Sequence, residues 1–239
     1  MIRFAINAEF VPARTIEEWR AIGIDGFASS HDSSADIVLS QGGFGADHAQ
    51  IGLRQAIELA HSITEASDDA LDEAIAGSRV IHRPIVELPD VGTHLRATSI
   101  SPVEIGDWLV PLVDEAAEVG VTLAVVNGSA IRTAAMMWHL LERVAHPALA
   151  CCWDVEAAAR WGEEPGVSVP TLGSRIISVR VGSLGDRTHK FINRLRGIGF
   201  DGWMTITNPA IADEASLSKL REWIVAGKAD KALVAKKGK

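Results

Sequence analysis

Short apolar runs alternate with helical periodicities through the second half of the chain. Val121–Val126 is a β-branched run that ends at Asn127, and Ala148–Trp153 is a second apolar run that ends on Asp154. Such runs predict strands that are buried on both faces. Between them, from 131 to 144, apolar residues recur at helical spacing. The unit is therefore predicted to be a parallel strand–helix–strand crossover, in which ligands collect beyond the carboxyl ends of the strands.

The same two periodicities predict further elements on either side of this unit. The segment EEWRAIGIDGFAS at 17–29 recurs as NRLRGIGFDGWMT at 193–205, which indicates repeated helix–strand units. A chain of 239 residues is close to the ~250 residues of an eight-stranded α/β barrel. We therefore predict a (β/α)8 TIM barrel as one domain over 1–226, followed by a disordered basic tail at 227–239. The other predicted strands are Ile2–Ile6, Gly26–Ala28, Ala35–Leu39, Arg79–Leu88, Ile176–Val181 and Trp203–Ile206, and the other predicted helices are Thr15–Ala21, Ala49–Ile63, 101–116, 191–196 and Leu217–Val225.

The excess of acidic residues argues against some classes of binding partner. The chain carries 31 acidic and 23 basic residues, and without the tail the balance becomes 30 acidic against 18 basic. A body this acidic should repel nucleic-acid phosphates. No apolar run reaches the ~18 residues of a membrane span, and the start lacks the apolar core of a signal peptide. We expect a cytoplasmic protein without nucleic-acid or membrane partners, and a homo-oligomer or a partner protein is left open.

The only two cysteines are adjacent. Cys151 and Cys152 lie on one predicted strand, where neighbouring side chains point to opposite faces. Such a pair makes a poor disulfide. We expect both to be reduced core residues.

Four strand ends resemble those of a known family. The runs LAVVN, CCWD, SVRV and IGFDGWMTIT are similar in order and spacing to the last four strands of the xylose isomerase-like TIM barrels, which include sugar phosphate isomerases, epimerases and AP-endonuclease-type barrels. The resemblance covers Ser101–Asn208 well and 1–30 loosely. It implies a sugar isomerase or epimerase whose divalent metal is held by a Glu, an Asp, a His and a Glu at these strand ends. Such a metal polarises the sugar while carboxylates move a proton.

This chain keeps only one of those four ligands. Val126 precedes Asn127 where the family has Glu-Asn, and Asp154 remains as the family's Asp. Arg180 stands in place of the His and Thr207 in place of the final Glu. A hard divalent cation needs several oxygen or mixed ligands. The sequence therefore predicts a largely lost metal site and no metal cofactor.

The strand ends supply the candidate ligand-binding residues, and none is assigned a catalytic role. We expect the guanidinium of Arg180 to take the place of the cation and to hold Asp154 ionised, with donors left for an anionic or hydroxylated ligand. The alternative left open is that Arg180 reaches solvent and Asp154 caps the helix that starts near Val155. The full candidate set is Asn127, Trp153, Asp154, Arg180, Thr207 and Asn208, with His31 after the second strand.

Aromatic residues could also contribute to a sugar site. Of the seven tryptophans, only Trp153 and Trp161 are expected near the mouth. The helical tryptophans 19, 108, 138 and 223 are interpreted as packing residues.

Two functions remain open from the sequence. The first is a divergent barrel that binds a small sugar-like or anionic ligand or serves as a partner subunit. The second is an active isomerase or epimerase with manganese, magnesium or zinc on Asp154 and on replacement ligands from His31, His82 or Glu87. We favour the first, because His31-Asp32 is typical of a solvated loop and Pro84 interrupts the strand between His82 and Glu87. DNA repair conflicts with the acidic body and with the missing histidines of a multi-zinc site.

Overall fold

Eight parallel strands close into a barrel. The computed structural model describes residues 2–7, 16–22, 24–29, 37–39, 54–61, 85–88 and 101–237. Each strand pairs with the next one in sequence, and β8 pairs with β1 to complete the closure. The predicted (β/α)8 fold is confirmed, including the third and fourth strands. The strands are β1 (Arg3–Asn7), β2 (Gly26–Ser29), β3 (Ile37–Leu39), β4 (Ile85–Leu88), β5 (Thr122–Val126), β6 (Leu149–Asp154), β7 (Ile176–Val181) and β8 (Trp203–Ile206).

Helices pack around the outside of the barrel. The last of them continues to Lys237 and so enters the segment 227–239, for which disorder stays a prediction. Within the described ranges, no helix is both long enough and apolar enough to cross a membrane. The helices are α1 (Ile16–Ala21), α2 (54–61), α3 (Pro102–Glu118), α4 (Ala134–Val144), α5 (Val155–Arg160), α6 (Pro165–Leu172), α7 (Asp186–Gly197) and α8 (Glu214–Lys237).

The start of α3 illustrates how the local sequence determines a helix boundary. The Ser101 hydroxyl accepts a hydrogen bond from the Glu104 amide at 3.2 Å, and the Glu104 carboxylate accepts one from the Ser101 amide at 2.8 Å. This reciprocal capping box satisfies two amides that have no partner within the helix. Pro102 adds a pre-set φ at the first helical position, so the helix begins where the sequence predicts.

Alternation along the strands divides the core into two layers. Outward-facing strand residues pack against the helices in one large cluster, which includes Leu123, Cys151 and Trp153. Inward-facing residues form a separate cluster inside the barrel. We call the interior of the barrel the lumen. Its apolar residues are mostly small in the middle of the barrel: Ala5, Ala28, Ala124 and Cys152, with Ile85, Val126 and Trp203 above and below them.

One packing prediction is wrong. Trp138 on α4 is 41% exposed and makes an edge-to-face contact with His139. The buried stripe of α4 is formed instead by Ala134, Met137, Leu140 and Leu141. The buried face of α4 is rotated relative to the face that the sequence spacing indicates, so the Trp138 indole lies at the edge of the buried face.

Candidate ligand site at the barrel mouth

The carboxyl ends of the strands meet at one end of the barrel, which we call the mouth. Asp154 on β6 is in register with Arg180 on β7, and Arg180 is in register with Thr205 on β8. Residues in register share a face of the sheet, so these side chains belong to the lumen side. Val126 lies in the lumen cluster, and Thr207 follows β8 with its amide donating to the Val181 carbonyl at 3.0 Å.

A buried ion pair crosses the lumen just below the mouth. The Nε of Arg180 donates to Oε2 of Glu87 at 2.8 Å, and Nη2 lies 2.7 Å from the same oxygen. The Ser178 hydroxyl donates to the other oxygen, Oε1, at 2.8 Å. The Glu87 side chain is fully buried and that of Arg180 is 15% exposed. The pair joins β4 to β7, two strands that are not neighbours in the barrel.

Both charges of this pair are stabilised by their contacts. A buried carboxylate or guanidinium is costly unless it is paired and hydrogen-bonded, and here both oxygens of Glu87 accept short bonds. Burial alone would lower the pKa of Arg180, but attraction to Glu87 outweighs it and the pKa is raised. The guanidinium is therefore a permanent cation within the mouth.

The prediction that the guanidinium of Arg180 holds Asp154 is wrong. The helix cap proposed in the alternative is confirmed, since Asp154 caps α5 and its Oδ1 accepts a hydrogen bond from the Ala157 amide at 2.7 Å. Because α5 begins at the very next residue, its free amides are the nearest donors to this carboxylate. The prediction that Arg180 reaches solvent is also wrong, since Glu87 holds it inside. Burial of the Asp154 carboxyl raises its pKa, and the nearby charge of Arg180 lowers the pKa by a smaller amount.

Two asparagines that were candidate ligand contacts bind the backbone. Asn127 is 2% exposed and donates its side-chain amide to the Asp154 carbonyl at 3.0 Å. Its Oδ1 accepts from the Asp154 amide at 2.6 Å, so it extends the pairing of β5 with β6 beyond the strand. Asn208 donates to the Gly182 carbonyl at 2.9 Å and accepts from the Ala210 amide at 3.0 Å. Both residues therefore shape the mouth through the backbone around it.

The aromatic candidates occupy different places. Trp153 is 0% exposed and packs in the outer cluster, so the prediction that it lies near the mouth is wrong. The alternation explains this: Cys152 faces the lumen, and its neighbour must face the helices. Trp161 is 45% exposed, with the Arg132 guanidinium 4.3 Å above its ring. His31 and His82 lie outside the described residues.

The described residues at the mouth do not bring together a set of ligands for a divalent metal. Of the family's four ligand positions only Asp154 carries a ligand group, and that carboxylate already caps a helix. The Arg180 guanidinium stands at the position of the His, and its charge would repel a second cation. Across the residues that the structure describes, no group of three His, Cys, Asp or Glu side chains could hold an ion.

Sequence reasoning missed the central residue of the site. Glu87 was interpreted as an ordinary strand-end polar residue, whereas all four residues of β4 are buried. A glutamate inside the apolar run IVEL needs a buried partner, so its place in this run was the sequence signal for a buried ion pair. Ser178 was likewise not singled out. Thr205 was also missed: it is 1% exposed, and its hydroxyl has no hydrogen-bond partner among the described residues.

Comparisons with known proteins bear on the fold. No family model matches the sequence, and no curated protein matches it either. Among solved structures, 3-keto-D-glucoside 4-epimerase YcjR from E. coli has a TM-score of 0.67 at 14% identity, covering 92% of this chain and 98% of that chain. L-ribulose 3-epimerase has a TM-score of 0.68 at 14% identity, covering 98% of each chain. A xylose isomerase domain protein from Planctomyces limnophilus has a TM-score of 0.67 at 12% identity, covering 94% and 98%. The chain therefore has the fold of the xylose isomerase-like TIM barrels, as the resemblance of its strand ends implies.

Proposed function

We propose that this barrel binds an uncharged, hydroxylated, sugar-like molecule at its mouth without a divalent metal. The observation that carries the proposal is the buried Glu87–Arg180 pair, with Arg180 at the position where the family offers a metal-binding His. A guanidinium that is already fixed there offers N–H donors to a ligand oxygen where a metal would otherwise bind it.

The charges at the mouth favour a neutral ligand over an anionic one. Glu87 already neutralises Arg180, and Asp154 adds a second acid at the same level of the barrel. A sugar phosphate would bring further negative charge against these carboxylates. Hydroxyl groups, in contrast, can both accept from a guanidinium and donate to a carboxylate.

Thr205 supports a ligand with hydroxyl groups. Its buried hydroxyl is in register with Arg180 and lacks a hydrogen-bond partner in the described part of the chain. Leaving a buried hydroxyl unsatisfied costs about 1–3 kcal/mol. A ligand hydroxyl that reached this depth would remove that cost.

The test is a thermal-shift and calorimetry series on the purified protein. The probes are L-ribulose, D-tagatose and D-allulose as neutral ketoses, fructose 6-phosphate as the anionic counterpart, and manganese, magnesium and zinc ions. A ligand at 100 times its dissociation constant should add about 2.7 kcal/mol of stability, which is roughly 5–10 °C in Tm for a domain of this size.

We expect a shift with at least one ketose, a smaller one or none with the phosphate, and none with the metals. Thr205→Val should weaken ketose binding, whereas Arg54→Gln, which changes an exposed arginine paired with Glu115, should leave it unchanged. A metal-dependent shift of several degrees would contradict the proposal and favour a metal-dependent isomerase or epimerase that uses Asp154 and other ligands.

A further inference from the structure

A cavity opens at the end of the barrel opposite the mouth. It has a volume of about 660 Å³ and is lined by the first residues of several strands, including Arg3 on β1, Thr122 on β5 and Trp203 on β8. Its volume lies within the roughly 300–1,000 Å³ of small-molecule sites. It shares no lining residue with the ion pair at the mouth. The two ends can therefore be considered separately.

Arg175, just before β7, faces this cavity with only long contacts. Nη2 lies 3.4 Å from the Leu149 carbonyl, and Nη1 lies 3.6 Å from the Glu142 carboxylate. For comparison, Arg187 reaches its two acceptors at 2.7 and 3.0 Å. Charge-assisted hydrogen bonds of arginine are normally about 2.7–2.9 Å. The guanidinium of Arg175 can therefore gain two short bonds from a planar acceptor.

Other donors line the same cavity. His146 accepts a hydrogen bond at Nδ1 from the Ala148 amide at 3.0 Å, so in the neutral ring the proton lies on Nε2. That nitrogen is 3.9 Å from Asp114, which is beyond hydrogen-bond range. Ser174 and Thr122 add two hydroxyl-bearing side chains to the lining. This end of the barrel thus offers donors that suit an acceptor-rich ligand.

The described charges of the lining favour a ligand with one negative charge. Among the described lining residues, Arg3 and Arg175 stand against Glu142 and Asp201, so the two carboxylates would repel each further negative charge on a ligand. The Glu142 side chain is 50% exposed and can turn to solvent when a ligand replaces it beside Arg175. The remaining lining includes an apolar wall of Ile85, Ala150, Ile177 and Trp203.

We infer that this cavity binds a small monocarboxylate with a compact apolar body. The carboxylate takes the two outer donors of Arg175 and displaces Glu142, while the apolar part packs on the wall beside Trp203. His146 and Ser174 belong to the same lining and supply further donors to the ligand. The inference does not rest on the function proposed for the mouth.

The test is isothermal titration with benzoate, with benzamide as its uncharged counterpart of the same shape, and with inorganic phosphate. We expect benzoate to bind with a dissociation constant below about 1 mM, and benzamide and phosphate to bind at least tenfold more weakly. Arg175→Gln should weaken benzoate binding at least tenfold. Arg54→Gln, which changes an exposed arginine outside the cavity lining, should not change it.

A second variant keeps the inference falsifiable if Arg175→Gln fails to fold. Glu142→Gln removes the competing carboxylate and should tighten benzoate binding several-fold without affecting benzamide. Absence of benzoate binding, equal binding of benzamide, or an unchanged affinity in both variants would each overturn the inference. Saturation with a ketose at the mouth should leave the benzoate affinity unchanged, so failure at one end is distinguishable from failure at the other.

Discussion

Removal of one partner of the Glu87–Arg180 pair should be far more damaging than removal of both. With Glu87→Leu, a guanidinium that is only 15% exposed loses its carboxylate, and with Arg180→Met, a fully buried carboxylate loses its cation. Breaking a buried pair in this way costs about 3–5 kcal/mol, whereas apolar replacement of both partners is often neutral. The double variant should therefore be more stable than either single variant, with a coupling energy above roughly 2 kcal/mol.

The assay is urea denaturation followed by circular dichroism for the four proteins of this cycle. The exposed pair Arg54–Glu115 is a matched control of the same residue types, with 2.8 Å contacts but side chains 45% and 41% exposed. Its coupling energy should be much smaller than that of the buried pair, because solvent screens the two exposed charges. A cycle on Asp154 and Arg180 should also give a small coupling, because no hydrogen bond joins them. Additive effects for Glu87 and Arg180 would refute the buried-pair interpretation.

Three further predictions follow from the residues around the pair. Asn127→Ala should destabilise the protein by about 2–3 kcal/mol in urea denaturation, because it removes two buried hydrogen bonds to the Asp154 backbone. Burial raises the pKa of Asp154 in the folded state, so the unfolded chain releases this proton at a lower pH than the folded protein does. Through this carboxyl, the free energy of unfolding therefore decreases as pH rises above 3.8, its ordinary pKa. As pH rises above 3.8, the free energy of unfolding of Asp154→Asn should therefore increase relative to that of the unmodified protein. If the difference between the two proteins does not change with pH, the raised pKa of Asp154 is contradicted. Burial also raises the pKa of Cys151 and Cys152, so iodoacetamide should modify these thiols only after unfolding, as measured by mass spectrometry.

The strands were predictable because their apolar runs are the direct result of burial on both faces. The sequence placed β5, β6, β7 and β8 within one residue of their observed bounds, where the runs are long and bounded by glycine or polar residues. Of the predicted fourth strand, the structure describes Ile85–Leu88 as β4, and the part at 79–84 lies outside the described residues.

The site was less predictable because partner choice depends on distance across the lumen. The sequence indicated that Arg180 pairs with a carboxylate, but the carboxylate inferred was Asp154 on the adjacent strand, whereas the observed partner is Glu87 on β4. The cap of α5 by Asp154 was available from the sequence as the alternative, but periodicity cannot show that a side chain from β4 reaches across the lumen to β7. The position of Trp153 could have been found from alternation alone, because Asp154 and Cys152 share the opposite face.

The ion pair also constrains the shape of the barrel. It joins β4 to β7 across the lumen, and these two strands share no backbone hydrogen bonds. Moving the two strands apart would separate two buried charges, which is costly. The pair therefore resists a change in the width of the barrel along this direction, and it fixes the distance between two opposite walls of the mouth.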